Sequence, residues 1–318
     1  MSGKGLTILE RCALEILWAL CYLVGHLPHY LQFYIIAPAI KFVIYRVLRY
    51  RVKVVDTNLS NSFPEKCEGE RAVIRDGFYT YLSETIISTL ALTRRDANSH
   101  VMTNLDPTKE SNLKEFRDMT QDKSWVALSA HFGLWEYEMF WATYSNRRLI
   151  CVYHPLENKI FDLLFKRLRN HYKAVPMSAK ESLRFAIRNG ENYRGESYVM
   201  GLLADQNPPL VPNSHWHTFL NQETIFFDGG EKIAIRVGMP VYFIYQRRLS
   251  PGRYELCYKT IWDGEQSVEP NEITSRYVAM LEEAIRETPY MWLWSHKRWK
   301  RSKKNIEQAA WANSRKGA

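Results

Sequence analysis

The 318-residue sequence has few cysteines, and their spacing argues against two kinds of stabilising site. A disulfide framework or a structural zinc site needs paired or closely spaced cysteines, and no CxxC pair is present. We therefore expect reduced thiols in a cytosolic compartment and no bound metal. The five cysteines are Cys12, Cys21, Cys67, Cys151 and Cys257.

The sequence also lacks the short motifs of several large enzyme classes. It contains no GxSxG elbow, no HExxH pair, no Walker A loop and no GxGxxG turn. Serine hydrolase, zinc protease, P-loop and dinucleotide-binding functions therefore lose their usual support. His215 and His217 lie close in sequence, but no acidic or cysteine partner has a metal-ligand spacing, so we interpret them as loop histidines.

A secretory signal peptide is not expected, because Glu10, Arg11 and Glu15 interrupt the region that would form its apolar core. Residues 16–40 carry no Asp, Glu, Lys or Arg, and this length could span a bilayer. A glycine and two prolines interrupt the segment, so two short helices meeting near residues 25–29 fit better than one. Three placements stay open: in or re-entering the membrane interface, across the bilayer, or buried as a hairpin.

Positive charge and aromatic residues are abundant. The formal charge is +9 and 14% of the residues are aromatic, which together suit an anionic partner. Basic residues follow the apolar segment over 41–53, and others alternate with tryptophans near the C-terminus, over 292–304. Such clusters bind nucleic acid or lipid headgroups. The apolar N-terminal segment favours membrane lipid, and we expect no nucleic acid partner.

From about residue 124, short apolar runs alternate with helical patterns, which predict helices from about residue 134 and over about 157–170, 179–189, 229–237 and 272–287. This alternation predicts an α/β fold with a mainly parallel central sheet flanked by helices. The last two runs, joined through SPGR, predict a hairpin at the sheet edge. We expect N-terminal apolar and basic membrane-associating helices over 1–55 and an α/β domain over 56–318, with a helical lead-in over 56–122. The runs are WVALSA, LICVYH, AVPM, YVMGLLA, MPVYFIYQRR and YELCYKTIW.

The stretch SAHFGLWEYE follows the first of these runs. His131 comes just after the carboxyl end of the predicted strand, where open α/β sheets bind ligands. Gly133 would let the backbone turn tightly or admit a substrate. Glu136, on the first turns of a following helix, could turn back to accept the Nδ1–H of His131 and leave Nε2 as a base. A core or capping histidine with an exposed glutamate would have the same spacing.

The surrounding blocks favour the catalytic alternative. HFGLWE resembles the H-x4-D/E motif of the lysophospholipid acyltransferase superfamily. More narrowly, it is similar to the HFGNWE block of the late (secondary) acyltransferases of lipid A biosynthesis, with Leu134 where Asn is usual. Four further blocks resemble that family in the same order, between about residues 7 and 300: VLRYRVKVVDTNLSNSFPEK, GLLADQNPP, FFDGGEKIAIRVGMPV and PYMWLWSHKRWK.

The resemblance implies acyl transfer from an acyl carrier protein thioester to a hydroxyl of a phosphorylated glycolipid, a lipid A precursor. It places the enzyme at the cytoplasmic face of the inner membrane and requires no metal or bound cofactor. Carried over to this sequence, His131 is the general base and Glu136 orients it. Two rivals stay open: the same chemistry on an ornithine lipid, another glycolipid or a pigment precursor, and a non-catalytic protein that binds anionic lipid.

The resemblance also names substrate-binding residues. YHPLENKIFDLLFKRLRN is similar to the family's Y-R-P-x-x-N segment and its basic helix, with His154 where Arg is common, whereas Asn158 and Arg167 match. His154, Arg167 or Arg169 is expected to meet the substrate phosphate or the developing oxyanion, and Asn158 is expected to bind substrate. Asp205 and Gln206, in the D-Q block, are expected to shape the loop of the site rather than to take protons.

Overall fold

The computed structural model describes residues 6–93, 101–104, 112–141, 147–172, 174–208 and 214–300. Its main sheet has the order β3-β2-β4-β1-β7-β8, and β5 pairs with β6 in a separate hairpin. β1 to β4 and β7 run parallel, while β8 is antiparallel to β7 at the edge. The predicted mainly parallel sheet and its edge hairpin are therefore confirmed. The strands are β1 (Trp125–Ser129), β2 (Arg148–Tyr153), β3 (Ala174–Ser178), β4 (Tyr198–Leu203), β5 (Trp216–Phe219), β6 (Gln222–Ile225), β7 (Val241–Ser250) and β8 (Arg253–Trp262).

Helices flank this sheet and form the N-terminal part of the described chain. Those predicted over 179–189, 229–237 and 272–287 lie where the sequence places them. π-helical turns, Leu31–Ile36 and Phe42–Val47, adjoin the second helix on either side. The α-helices are α1 (Ile8–His26), α2 (Ala37–Lys41), α3 (Val52–Ser62), α4 (Glu68–Leu90), α5 (Asn112–Thr120), α6 (Lys159–His171), α7 (Ala179–Asn189), α8 (Gly229–Val237) and α9 (Glu272–Glu287).

The first helix begins and ends at residues that specify those positions. At its start, Thr7 and Glu10 form a reciprocal capping box, which satisfies backbone N–H groups that the helix leaves unpaired. At its end, Leu27 is extended because Pro28 follows, and proline disfavours helical geometry in the residue before it. Helical residues resume at His29, so the expectation of two helices meeting near 25–29 is confirmed.

This N-terminal region exposes many large apolar side chains. Within the described chain no single helix has the length and mean hydropathy of a membrane crossing. Leu31–Val47 and Val52–Ser62, bent by 90°, meet those criteria together by length and composition alone. The exposed apolar residues of the region are Ile8, Leu9, Ile16, Leu20, Tyr22, Leu23, Tyr30, Tyr34, Ile35, Phe42, Val43, Val47, Leu48 and Tyr50.

One hydrophobic core joins the N-terminal helices, the sheet and the C-terminal segment. Its members include Cys21 of α1, Phe78 of α4 and Val126 of β1. Burying a large apolar side chain stabilises a fold by about 1.5–3 kcal/mol, so this shared core couples the helices to the sheet. The C-terminal segment contributes the fully buried Trp292 and Trp294.

A buried ion pair also ties α4 to the edge hairpin. Glu84 is 2% exposed, and its carboxylate lies 2.7 Å from Nη2 of Arg248. The hydroxyl of Tyr254 donates to the same carboxylate at 2.7 Å. Because removing one partner strands a buried charge, such pairs hold elements in a fixed relation.

Some expectations fall partly or wholly outside the described residues. They include the last basic residues of the C-terminal cluster, 301–304, and parts of the lead-in, 94–100 and 105–111. The helix expected from about residue 134 begins as a 3₁₀ turn, Trp135–Met139. Residues 140 and 141 are helical, and 142–146 lie outside the description.

Candidate active site

The register of two neighbouring strands brings His131 beside Asp205. The parallel ladder pairs Ser129, the last residue of β1, with Leu203, the last residue of β4. His131 and Asp205 each follow their strand by the same number of residues. Because parallel strands end at the same edge of a sheet, both side chains reach the edge where α/β proteins bind ligands.

Asp205 holds His131 through both the ring and the backbone. Nδ1 of His131 lies 2.8 Å from Oδ1, and the backbone N–H of His131 donates to Oδ2 at 3.1 Å. The indole N–H of Trp292 also donates to Oδ2, at 2.9 Å. A carboxylate at Nδ1 places the ring proton on that nitrogen, so Nε2 keeps its lone pair and can act as a base.

Electrostatics favour the charged form of this aspartate. Burial alone would raise the pKa of Asp205, whose side chain is only 3% exposed. The charge of protonated His131 and the hydrogen bonds from His131 and Trp292 outweigh burial and lower the pKa below its ordinary value. An ionised carboxylate therefore faces His131 and would stabilise an imidazolium.

Glu136 does not orient His131, contrary to the sequence-based prediction. Its Oε1 lies 2.8 Å from Nη2 of Arg169 in α6, and within the described residues it forms no hydrogen bond to His131. Residues 131–134 are a bent segment followed by a 3₁₀ turn, so the five-residue spacing does not place both side chains on one helix face. Burial tends to lower the pKa of Arg169, but Glu136 raises it above its ordinary value.

Gly133 has a packing role at this turn. Its φ is +71°, and a Cβ there would lie 2.8 Å from Cβ of Gln246. Its N–H donates to the carbonyl of Met291 at 3.0 Å, and its carbonyl accepts from the hydroxyl of Tyr81 at 2.8 Å. The N–H and the carbonyl of Gly133 are therefore both used within the protein, and of the two roles expected for Gly133 the geometry provides the tight turn rather than substrate binding.

Gln206 covers the outer side of the His131 ring. Its amide nitrogen lies 3.0 Å from Nε2 and 3.4 Å from Nδ1, and the residue is exposed. Both residues of the D-Q block therefore contact His131 directly, which corrects the expectation that they only shape the loop. A substrate hydroxyl that reaches Nε2 must displace or share the position of this amide.

These observations can be set beside known proteins. A family model described as bacterial lipid A biosynthesis acyltransferase matches residues 6–301. The chain belongs to this acyltransferase family. No curated protein matches it. The match covers almost the whole acyltransferase and confirms the family resemblance that was read from its motifs.

Two of the predicted substrate residues of the acyltransferase lie elsewhere. Asn158 caps α6, and its Oδ1 accepts from the N–H groups of the next turn at 3.0 and 3.2 Å. Arg167 pairs with Glu15 of α1 at 2.7 Å, and its guanidinium carbon lies 4.1 Å from the ring centre of Trp18. These two residues join α6 to its neighbours. His154 is exposed just after β2 ends.

One buried carboxyl group of the acyltransferase has no signal in the sequence. Oε1 of Glu138 and Oγ of Ser129 are both buried, and neither forms a hydrogen bond of normal geometry. Burial raises the pKa of Glu138 well above its ordinary value; the nearby Ser129 hydroxyl opposes this effect, and the charges of Glu136 and Asp205 add to it. Glu138 therefore keeps its proton to higher pH than an exposed glutamate would.

Other residues that support the site also escaped the sequence-based reading. Gln246 of β7 receives the N–H of Leu134 at 2.6 Å and donates to its carbonyl at 2.8 Å. Trp292 had a signal in the aromatic WLW block, although its role did not follow from it. Within the described residues no group of three or more His, Cys, Asp or Glu side chains is placed to hold a metal ion.

Proposed function

We propose that the protein transfers a fatty acyl chain from an acyl carrier protein thioester to a hydroxyl of a lipid A precursor. The observation that carries the proposal is the bond from Nδ1 of His131 to the buried carboxylate of Asp205. It leaves Nε2 as a base at the carboxyl edge of the sheet. Family membership supplies acyl transfer as the reaction class.

In the proposed reaction, Nε2 of His131 takes the proton of the acceptor hydroxyl while its oxygen attacks the thioester carbonyl carbon. The tetrahedral oxyanion collapses, the C–S bond breaks and the ester forms. The imidazolium then returns its proton to the departing thiolate. General-base help of this kind contributes about 10²–10⁴-fold to the rate. No metal or bound cofactor takes part.

Glu136 has a positioning role in the proposed mechanism, through Arg169 rather than through His131. It pairs with Arg169, and both side chains are largely buried. The guanidinium carbon of Arg169 lies 5.2 Å from the ring centre of Tyr153, at the end of β2. We therefore assign Glu136 to positioning Arg169 near the acyl-transfer centre, where a cation would stabilise developing negative charge.

The proposed location is the cytoplasmic face of the inner membrane. Ile16, Leu20 and Leu23 of α1 are exposed, and basic residues follow over 46–53. An apolar surface beside basic residues suits a leaflet rich in anionic lipid. Changing Leu20 and Leu23 together to Asp should abolish flotation with anionic vesicles, whereas Leu183→Asp, an exposed leucine of α7, should not. If the wild type, the Leu20/Leu23 double variant and Leu183→Asp float equally well, this docking surface is refuted.

The reaction is tested with purified protein, acyl carrier protein thioester and lipid A precursor, with the product measured by mass spectrometry. His131→Ala should lower the rate by about 10²–10⁴-fold. His215→Ala, an exposed histidine before β5, is the matched control and should behave like the wild type. Wild-type activity in His131→Ala would contradict the proposed base.

The acceptor is tested in cells. Deleting the gene should remove one acyl chain from lipid A, as measured by mass spectrometry of the extracted lipid. An unchanged lipid A profile would exclude this acceptor. The in vitro assay would then be repeated with ornithine lipids and other glycolipids.

A further inference from the structure

A narrow pocket lies near the proposed base and would have to widen to admit a ligand. It is formed where the C-terminal segment meets the loop after β4 and the β5–β6 hairpin. Its most buried charged member is Arg298, which is 2% exposed. The lining residues are Asn207, Pro208, Glu223, Thr224, Ile225, Arg298 and Trp299.

Arg298 has uncharged partners. Its Nη1 donates to Oδ1 of Asn207 at 3.1 Å, and its Nη2 donates to the carbonyl of Ile225. Its guanidinium carbon lies 4.7 Å from the ring centre of Phe226. Nε is buried without a partner, and no carboxylate of the described residues forms an ion pair with this guanidinium. A guanidinium has five N–H donors, so much of its binding capacity is unused.

Two other arginines of the described chain, both largely buried, do have ion-pair partners. Arg169 and Arg248 each lie 2.7–2.8 Å from a carboxylate oxygen. A buried cation without a direct ion-pair partner is costly, and an incoming anion would lower that cost. Burial lowers the pKa of Arg298 to about 10, which still leaves it charged at neutral pH. The main charge that favours ionised Arg298 is that of Asp205, which raises the pKa of Arg298 without forming an ion pair with it.

Arg147 is a second buried arginine that forms no ion pair with a carboxylate of the described residues, but it lies at the other end of the strands. It also bonds a carbonyl, that of Lys123, and it precedes β2. Arg298 instead contacts Asn207, which directly follows Gln206 at the His131 ring. An anion held by Arg298 would therefore lie next to the acyl-transfer centre.

The neighbouring histidine does not supply the charge. Nε2 of His296 lies 3.2 Å from the amide nitrogen of Asn207. Burial, with the positive charges around it, lowers the pKa of His296 to about 4, so it is neutral at pH 7. Lys297 and Lys300 are exposed at the rim, and Glu223 is the exposed acidic residue there.

We infer that Arg298, held in place by Asn207, forms a subsite for a phosphate group of one substrate, bound while the reacting hydroxyl or thioester lies at His131. The planar guanidinium fork matches phosphate oxygens, and charge-assisted bonds are strong at such buried positions. The assignment to a substrate rests on the proposed acyl transfer. Phosphate binding itself does not depend on it.

Binding is tested first, by calorimetric titration of the full chain in detergent with inorganic phosphate. Arg298→Gln should weaken binding by about tenfold or more, because a charge-assisted donor is lost. Arg188→Gln removes the same charge from an exposed site on α7 and should leave binding unchanged. Thermal unfolding of each variant verifies that it is folded. Absence of saturable binding by the wild type, or equal binding by Arg298→Gln, would overturn the inference.

A second variant keeps the arginine in place. Asn207→Asp puts a carboxylate beside Nη1 of Arg298 and should compete with phosphate for it. Phosphate affinity should therefore fall although the buried guanidinium remains. Unchanged affinity in a folded Asn207→Asp protein would also count against the subsite.

Steady-state kinetics then identify the source of the phosphate. If it belongs to the acceptor, Arg298→Gln should raise KM for the phosphorylated acceptor and not for a dephosphorylated one. If it belongs to the phosphopantetheine arm of the donor, KM for the acyl carrier protein thioester should rise instead. Unchanged values of both would reduce the pocket to a site for free phosphate and overturn the substrate assignment. A failure of acyl transfer itself would leave the phosphate titration standing.

Discussion

Replacing Asp205 by asparagine tests the proposed mechanism at its central bond. The carboxylate receives three donors, two from His131 and one from Trp292. Asparagine offers one oxygen and one NH₂ group. If the oxygen keeps the two donors at the Oδ2 position, the NH₂ group faces Nδ1, which must then accept. The ring proton moves to Nε2, and His131 can no longer take a proton from the substrate.

The expected loss in kcat is comparable with that of removing the base, about 10²–10⁴-fold. The same exchange imposes the wrong tautomer in a serine protease triad at a cost of about 10⁴-fold. Acyl transfer at saturating substrates measures it. Glu136→Gln is the control within the site, because it removes a carboxylate but leaves the partner of Nδ1, and its loss should be smaller. Activity of Asp205→Asn within about tenfold of the wild type would refute the assignment of Asp205 as orienter.

The same variant has a predicted pH dependence of stability. Because the folded pKa of Asp205 is below the unfolded value of 3.8, its ionised form stabilises the fold above that value. The contribution is lost as the pH falls through the folded pKa. Asp205→Asn should therefore be less stable than the wild type at pH 5–8, by about 1–3 kcal/mol for an unmet buried donor. Chemical unfolding should show the two proteins converging in acid.

Three further changes test the surroundings of the site. Because the pKa of Glu138 is raised in the folded protein, its ionisation destabilises the fold as the pH rises above 4.5. Glu138→Gln should therefore raise the melting temperature above that of the wild type by more at pH 8 than at pH 4. Parallel plots of melting temperature against pH for the two proteins would contradict this. Gly133→Ala places a Cβ against Gln246 at positive φ and should lower the free energy of unfolding by about 1–3 kcal/mol, with a matching loss of acyl transfer. An unchanged midpoint of chemical unfolding would argue against the tight turn. Glu84→Gln removes the charged partner of Arg248 and should lower the free energy of unfolding by about 3–5 kcal/mol in the same assay. A decrease below about 1 kcal/mol, which is typical of a surface ion pair, would show that this pair is not buried in solution.

Most of the main sheet could be predicted because its strands are short apolar runs separated by helical patterns. The β5–β6 hairpin was missed for a physical reason. Its four-residue strands contain polar residues such as His217 and Glu223, and so lack the apolar run that marks a buried strand. Its turn, Leu220 and Asn221, has two residues at positive φ without a glycine to signal them.

His131 could be located from sequence because it follows a buried strand, but its partner could not be chosen by spacing. The five-residue step to Glu136 suggested one helix face, and that inference assumed a regular helix after the strand. Gly133 at positive φ and the 3₁₀ turn change the direction of the chain. Local spacing is therefore a poor guide wherever a glycine turn separates two polar residues.

Strand register is the better guide to this site. Asp205 is 74 residues from His131 in sequence, but each lies two residues beyond a paired position of adjacent parallel strands. Once β1 and β4 are known to be neighbours, polar residues after both strands must meet at one edge. A related chain that kept Glu136 but lost the acid at position 205 would keep the partner of Arg169 and lose control of the tautomer of His131. In the proposed mechanism the base is therefore the pair of His131 with Asp205, whereas Glu136, five residues after His131, pairs with Arg169 of α6.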